Sequence, residues 1–90
     1  MHPEEREHLR LSLLRFLDAN ATAHGLSASL LLAFARNEGR PRLTPDEVAA
    51  ELGYLADKGL AAPAPKPISP ENRAWRITAQ GRDFLAERGL

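Results

Sequence analysis

The sequence predicts a mainly α-helical domain with a small β-hairpin, in the order helix, helix, helix, strand, stiff loop, strand, helix. Three observations lead there. Apolar residues recur at helical spacing from Leu9 to Leu60. Thr44-Pro45-Asp46-Glu47 has the form of a helix start. Beyond Gly59, four prolines between Pro63 and Pro70 give way to alternation from Arg73 to Thr78.

Chain length and composition bound the rest. Ninety residues make one domain, 1–90, with an ordered core expected over about residues 8–88. Size scaling buries about 64% of the extended-chain surface, room for one modest core. The chain is 43% hydrophobic and 27% charged, within the globular range. The absence of cysteine excludes a disulfide framework, a thiolate metal site and a cysteine nucleophile. Twelve basic and twelve acidic side chains cancel, so any attraction to a polyanion must come from local charge. Behind the charged start Met1-His2-Pro3-Glu4-Glu5-Arg6-Glu7 no apolar run is long enough for a signal peptide or a membrane span. The expectation is therefore a cytoplasmic protein without a membrane partner, with His2 and His8 as surface residues.

The first helix, Pro3 to Asn20, places Leu9, Leu13, Phe16 and Leu17 on one face, and Leu11 and Leu14 widen that stripe to one side. His24-Gly25 interrupts the pattern, and Ser27 can cap a second helix from Ala28 to about Glu38 that buries Leu30, Leu31 and Phe34. Gly39 follows as the residue that leaves the helix in a left-handed conformation. In the third helix Thr44 caps, Pro45 fits N1, and Glu47 at N3 completes a capping box. This helix runs to Lys58 and stops at Gly59. At 100° per residue Val48, Leu52, Leu55 and Ala56 face inward, whereas Asp46, Ala50, Tyr54, Asp57 and Lys58 face outward.

Leu60-Ala61-Ala62 is a short apolar stretch, and the following prolines forbid a helix or a central strand. In the alternating segment Trp75 and Ile77 share one side and Ala74 and Arg76 the other. Thr78 then caps a last helix, Ala79 to Arg88, that turns Phe84 and Leu85 inward, with Gly81 a packing glycine near its start. The core expected from this reading is Leu13, Phe16, Leu31, Phe34, Leu52, Leu55, Trp75, Ile77 and Phe84.

Tyr54-Leu55-Ala56-Asp57-Lys58-Gly59-Leu60, followed by Trp75-Arg76-Ile77-Thr78-Ala79-Gln80-Gly81, resembles the winged-helix group of helix-turn-helix domains. There a leucine-containing helix ends at a Lys-Gly-Leu step, a two-stranded wing follows, and an aromatic-x-Ile/Leu-Thr-x-x-Gly stretch leads into the final helix. The likeness covers about Leu9 to Leu90. The short form, with Thr-Pro-Asp-Glu opening the third helix, is similar to small winged-helix proteins of Mu-like phages and prophages.

The resemblance implies DNA binding in transcription regulation, with the third helix in the major groove and the wing along the phosphates. It would set Asp46, Glu47, Ala50, Tyr54 and Glu51 toward the groove, an acidic choice for a polyanionic partner. The segment Thr44 to Lys58 carries four acids and one base. Basic residues flank it: Arg36, Arg40 and Arg42 before, then Lys66, Arg73, Arg76 and Arg82 after. The expected phosphate contacts are Arg40, Arg42, Lys66, Arg73 and Arg76, with Tyr54 beside them. The alternative is a non-catalytic module that binds protein or dimerises through Ala50 and Tyr54, ringed by Asp46, Glu47 and Asp57. Leu11 and Leu14, left over from the first helix, are the expected homodimer contact.

Nothing points to catalysis, a metal or a cofactor. The histidines at 2, 8 and 24 lack zinc-ligand spacing, the serines lie in no nucleophile elbow, and the glycines form no phosphate-cradling cluster.

Overall fold

The structure is a computed structural model that describes residues 2–21, 24–64 and 73–89. Helix α1 (Pro3–Ala19) opens on a proline, which has no N–H to leave unpaired, and Glu4 and Glu5 meet the positive end of its dipole. Strand β1 (Leu26–Ser27) runs directly into α2 (Ala28–Asn37), capped where the Ser27 hydroxyl accepts from the Leu30 amide at 3.2 Å. Helix α3 (Pro45–Asp57) follows a short turn. Strands β2 (Ala61–Pro63) and β3 (Ala74–Ile77) and helix α4 (Ala79–Glu87) complete the domain. The architecture is mainly helical, with four helices and a small antiparallel sheet of three strands in the order β1-β3-β2.

The third strand corrects the two-strand expectation. Leu26 lies opposite Trp75 and Ser27 opposite Ala74, while Ala61, Ala62 and Pro63 face Ile77, Arg76 and Trp75 from the other side. Two residues have no alternation to read, so β1 leaves no periodic trace in the sequence. Its trace is Gly25, at φ +70°, where a Cβ would run into the Trp75 carbonyl. Pro63 sits on an edge strand, where a missing donor is tolerated. The proline-rich loop, with Lys66, lies outside the described residues.

Helix α1 is the hub, since α2, α3, β3 and α4 all pack on it. Its wide stripe is explained by those neighbours: Leu9, Leu13, Leu14 and Leu17 are all buried, and Leu11 is half-buried against the core. Leu14, expected at a dimer contact, is fully enclosed within the single chain, because α1 serves partners on more than one side. A second correction concerns α2. Leu31, Leu32 and Ala35 are buried, while Leu30 is 43% exposed and Phe34 half-buried. The true stripe, 28-31-32-35, keeps the helical period but uses two alanines, whereas the expected one followed side-chain size. The aromatic residues Phe16, Phe34, Trp75 and Phe84 lie at the rim of a leucine core. Phe16 and Phe34 meet edge to face with centroids 5.6 Å apart.

The hairpin is tied back by a compact junction. Gly59, at φ +74°, ends α3, where the Leu60 amide donates to the Leu55 carbonyl at 2.9 Å and the Gly59 amide to Ala56 at 3.0 Å. The Thr78 hydroxyl donates to the Gly59 carbonyl at 2.6 Å and accepts from the Gly81 amide at 3.0 Å, so one side chain caps α4 and locks it to the end of α3. A Cβ at Gly81 would collide with the Leu60 carbonyl and come within 2.7 Å of Ile77 Cγ1.

Leu52, fully buried between the helices, should lose about 2–5 kcal/mol on replacement by alanine, a loss measurable by denaturant unfolding. Gly81→Ala should cost about 1–3 kcal/mol, opposite in sign to the usual gain from alanine within a helix. A neutral or stabilising Gly81→Ala would show that α4 does not press on Leu60.

Candidate nucleic-acid interface

The site begins with the four acids of α3, which the fold treats in two ways. Glu47 is turned back on the start of its own helix. Its Oε1 accepts from the Thr44 amide at 3.0 Å and from the Thr44 hydroxyl at 3.1 Å, while the hydroxyl oxygen accepts from the Glu47 amide at 3.2 Å. Glu51 is 6% exposed and faces α1, not the outside, which corrects its expected place toward a groove. Its Oε1 accepts from Arg10 Nε at 2.6 Å, and Arg6 Nε lies 3.9 Å from Oε2. Asp46 and Asp57 are exposed at opposite ends of the helix.

Between those two acids the outward face of α3 is Ala49, Ala50, half-buried Gly53 and Tyr54, the last 39% exposed. This surface is nearly neutral. The expected outward placement of Ala50, Tyr54 and Asp57 holds; the acidic ring drawn around them loses Glu47 to the cap.

The basic residues divide similarly. Arg40 folds back on α1 and α2: Nη2 lies 2.6 Å from His8 Nδ1 and Nη1 lies 3.6 Å from Glu38 Oε1, with the side chain only 19% exposed. Glu38 in turn accepts from the buried Ser12 hydroxyl at 2.9 Å. Arg40 therefore braces the turn between α2 and α3, so that its guanidinium, expected to contact phosphate, is already engaged by Glu38 and His8. Arg36 also works locally, donating from Nε to the Leu43 carbonyl at 2.8 Å. Arg42, Arg73 and Arg76 remain exposed. Arg42 borders an open cleft beside Glu4, Glu5 and Glu47, whereas Arg76 and Arg82 border a small recess next to Trp75. Arg42 and Arg76 thus line separate depressions.

Sequence reasoning missed Arg10 and the burial of Glu51. The signal was present: Glu51 occupies the stripe 48-51-52-55, and Arg10 the stripe 10-13-14-17. One charge of each sign on the inward face of two helices marks a pair across their contact. Among the described residues no group of three or more His, Asp or Glu side chains could hold a metal ion, and no helix is long and apolar enough to cross a membrane.

Compared with protein-family models, curated proteins and solved structures, the chain matches none of them.

Arg10→Met would leave the Glu51 carboxylate buried without its close partner and should cost about 3 kcal/mol in denaturant unfolding. The double variant Arg10→Met, Glu51→Leu should return to within about 1 kcal/mol of the parent, because the desolvation cost disappears with the charge. Equal losses in the single and double variants would show that packing, and not the charge, is what Arg10 supplies.

Proposed function

We propose that this chain is a winged-helix domain that binds duplex DNA in the cytoplasm, as a transcription regulator would, through phosphate contacts from Arg42, Arg73 and Arg76. The order of helices, the β2–β3 hairpin and the capped final helix support the winged-helix reading, and β1 widens the hairpin to three strands. The observation that carries DNA binding is the burial of Glu51 against α1, away from the outward face of α3. Of the carboxylates the resemblance would set toward a groove, Glu51 is buried, Glu47 is tied to the helix cap and Asp46 stays exposed. The helix can then approach a duplex with Ala49, Ala50 and Tyr54 foremost, while flanking arginines contact the backbone.

Such binding positions the domain more than it reads sequence, since no Arg, Lys, Asn or Gln stands on the outward face of α3 before Lys58. Mixed-sequence duplex titrated at about 50 mM salt and again at about 200 mM should bind more weakly in the second, with a log–log slope near −0.9 per neutralised phosphate. Arg73→Ala with Arg76→Ala should weaken all duplexes about equally. Arg40→Ala, by contrast, should lower stability and leave the affinity of the folded protein nearly unchanged. Absence of binding at the lower salt with about 100 μM protein would overturn DNA binding and leave the fold reading intact.

A further inference from the structure

A groove of about 490 Å³ runs between α1, the C-terminal end of α3 and α4. Its walls combine Leu11, Tyr54 and Phe84 with Arg10, Lys58 and Arg88. None of the three cations stands alone in water. The Arg10 guanidinium lies 3.6 Å from the Tyr54 ring centroid, Lys58 Nζ 5.7 Å from the same centroid, and the Arg88 guanidinium 4.3 Å from that of Phe84. Stacking on a ring holds a cation against an apolar surface and lowers the entropy lost when it meets an anion.

The groove carries more positive charge than its own acids neutralise. Arg10 gives its Nε to Glu51, and among the described residues its two terminal nitrogens bond to no protein acceptor. Lys58 makes no ion pair among the described residues. Arg88 has only Glu7, at 3.7 Å, with both side chains largely exposed, a pairing of small net value. Glu7 is the one carboxylate lining the groove.

We infer that this groove docks an acidic amphipathic segment of a partner protein, with an apolar side chain on Leu11 and Phe84 and carboxylates meeting Lys58, Arg88 and the tip of Arg10. Charge complementarity sets the sign of the partner, and the apolar floor sets its amphipathic character. A phosphate backbone would answer the cations but leave the leucine and phenylalanine against water. A bilayer surface is too flat to enter a recess. The groove contains none of Arg42, Arg73 and Arg76, so it is a surface additional to the proposed DNA contact. Tyr54 lies on the edge they share, where α3 turns from its outward face into the groove.

The test uses the full chain labelled with nitrogen-15 and a fluorescently tagged acidic peptide of about 14 residues, with Leu and Phe at helical i, i+3, i+4 and i+7 positions among Glu and Asp. The peptide should shift the amides of Leu11, Tyr54, Lys58 and Phe84, with a Kd of about 100 μM or tighter by anisotropy. Two control peptides, one with Lys for every acid and one with Ser for every apolar residue, should each bind about tenfold more weakly or worse. Lys58→Glu with Arg88→Glu, both exposed and each checked by circular dichroism and Trp75 emission, should reduce affinity for the acidic peptide about tenfold. Arg73→Ala with Arg76→Ala should leave it unchanged, which separates this site from the DNA reading. No shift at about 1 mM peptide, equal binding of the serine control, or the same amides moved equally by inorganic phosphate, duplex DNA or anionic phosphatidylserine vesicles would each overturn the proposal.

Discussion

The contact between Arg10 and Glu51 decides how this small domain presents itself. It joins α1 to α3 through residues 41 positions apart in sequence, in a part-buried contact. Glu51 loses most of its hydration while Arg10 stays partly in water, so the net stabilisation of the pair is small beside that of the leucines around it. What it does control is rotation. Val48, Leu52 and Leu55 could seat against α1 over a range of angles, because leucine packing is forgiving of small turns. A carboxylate held at 2.6 Å by Arg10, with Arg6 at 3.9 Å, narrows that range. With Glu51 drawn inward, α3 turns Ala49, Ala50 and Tyr54 outward, and Arg10 comes to lie on the face of Tyr54. The apolar stripe of α3 and this contact therefore agree on one rotation, and the groove beside α4 lies along it.

The hairpin and α4 are fixed by backbone geometry more than by side-chain area. Gly59 lets α3 end abruptly, Leu60 drops into the core, and the Leu60 carbonyl is then close enough to receive the Thr78 amide at 3.1 Å. Gly81 permits the same carbonyl to lie against the first turn of α4. Thr78 links both ends with a single hydroxyl used as donor and acceptor. Gln80 adds a hydrogen bond to the Lys58 carbonyl at 3.0 Å, so the last residues of α3 are held from outside as well as from within. This rigidity matters for the cations. Lys58 projects from the end of α3, which would fray were the junction loose, and instead its backbone is fixed beside the groove.

Much of this was legible in the sequence, for identifiable reasons. Helix starts at Ser27, Thr44 and Thr78 are written in residue types whose hydroxyls have a geometric task, and all three accept the expected amide hydrogen bond. Gly59 and Gly81 were readable because chain termination and close packing both select against a Cβ. Two things were not readable in the same way. Strand β1 exists only because β3 offers an edge, a long-range pairing that no local pattern announces. The rotation of α2 depended on counting Ala28 and Ala35 as core residues, which reasoning from side-chain size passes over. At the candidate interface the positions of Tyr54, Arg42, Arg73 and Arg76 on the surface were legible, whereas the fates of Glu47, Glu51 and Arg40 depended on partners that only the folded chain brings near.

The charge balance gains meaning once those partners are known. Twelve acids and twelve bases cancel in the sequence, and the cancellation suggests a surface with no preference. Folding redistributes it. Glu51 spends its charge on Arg10, Glu47 on the end of its own helix, and Glu38 is engaged by Ser12 and Arg40. Glu51 and Glu38 each take up one arginine, so these pairings leave the sum unchanged and decide only where the remaining charges stand. Screening at physiological ionic strength limits exposed charges to a range of about 8 Å, so a partner at the groove responds to the local excess and not to the net charge of the chain. In a chain that is neutral as a sequence, the groove lining holds Arg10, Lys58 and Arg88 against Glu7. The burial of Glu51 bears on both proposed surfaces, because it takes one carboxylate off the outward face of α3 and leaves Lys58 and Arg88 to set the sign of the groove behind it.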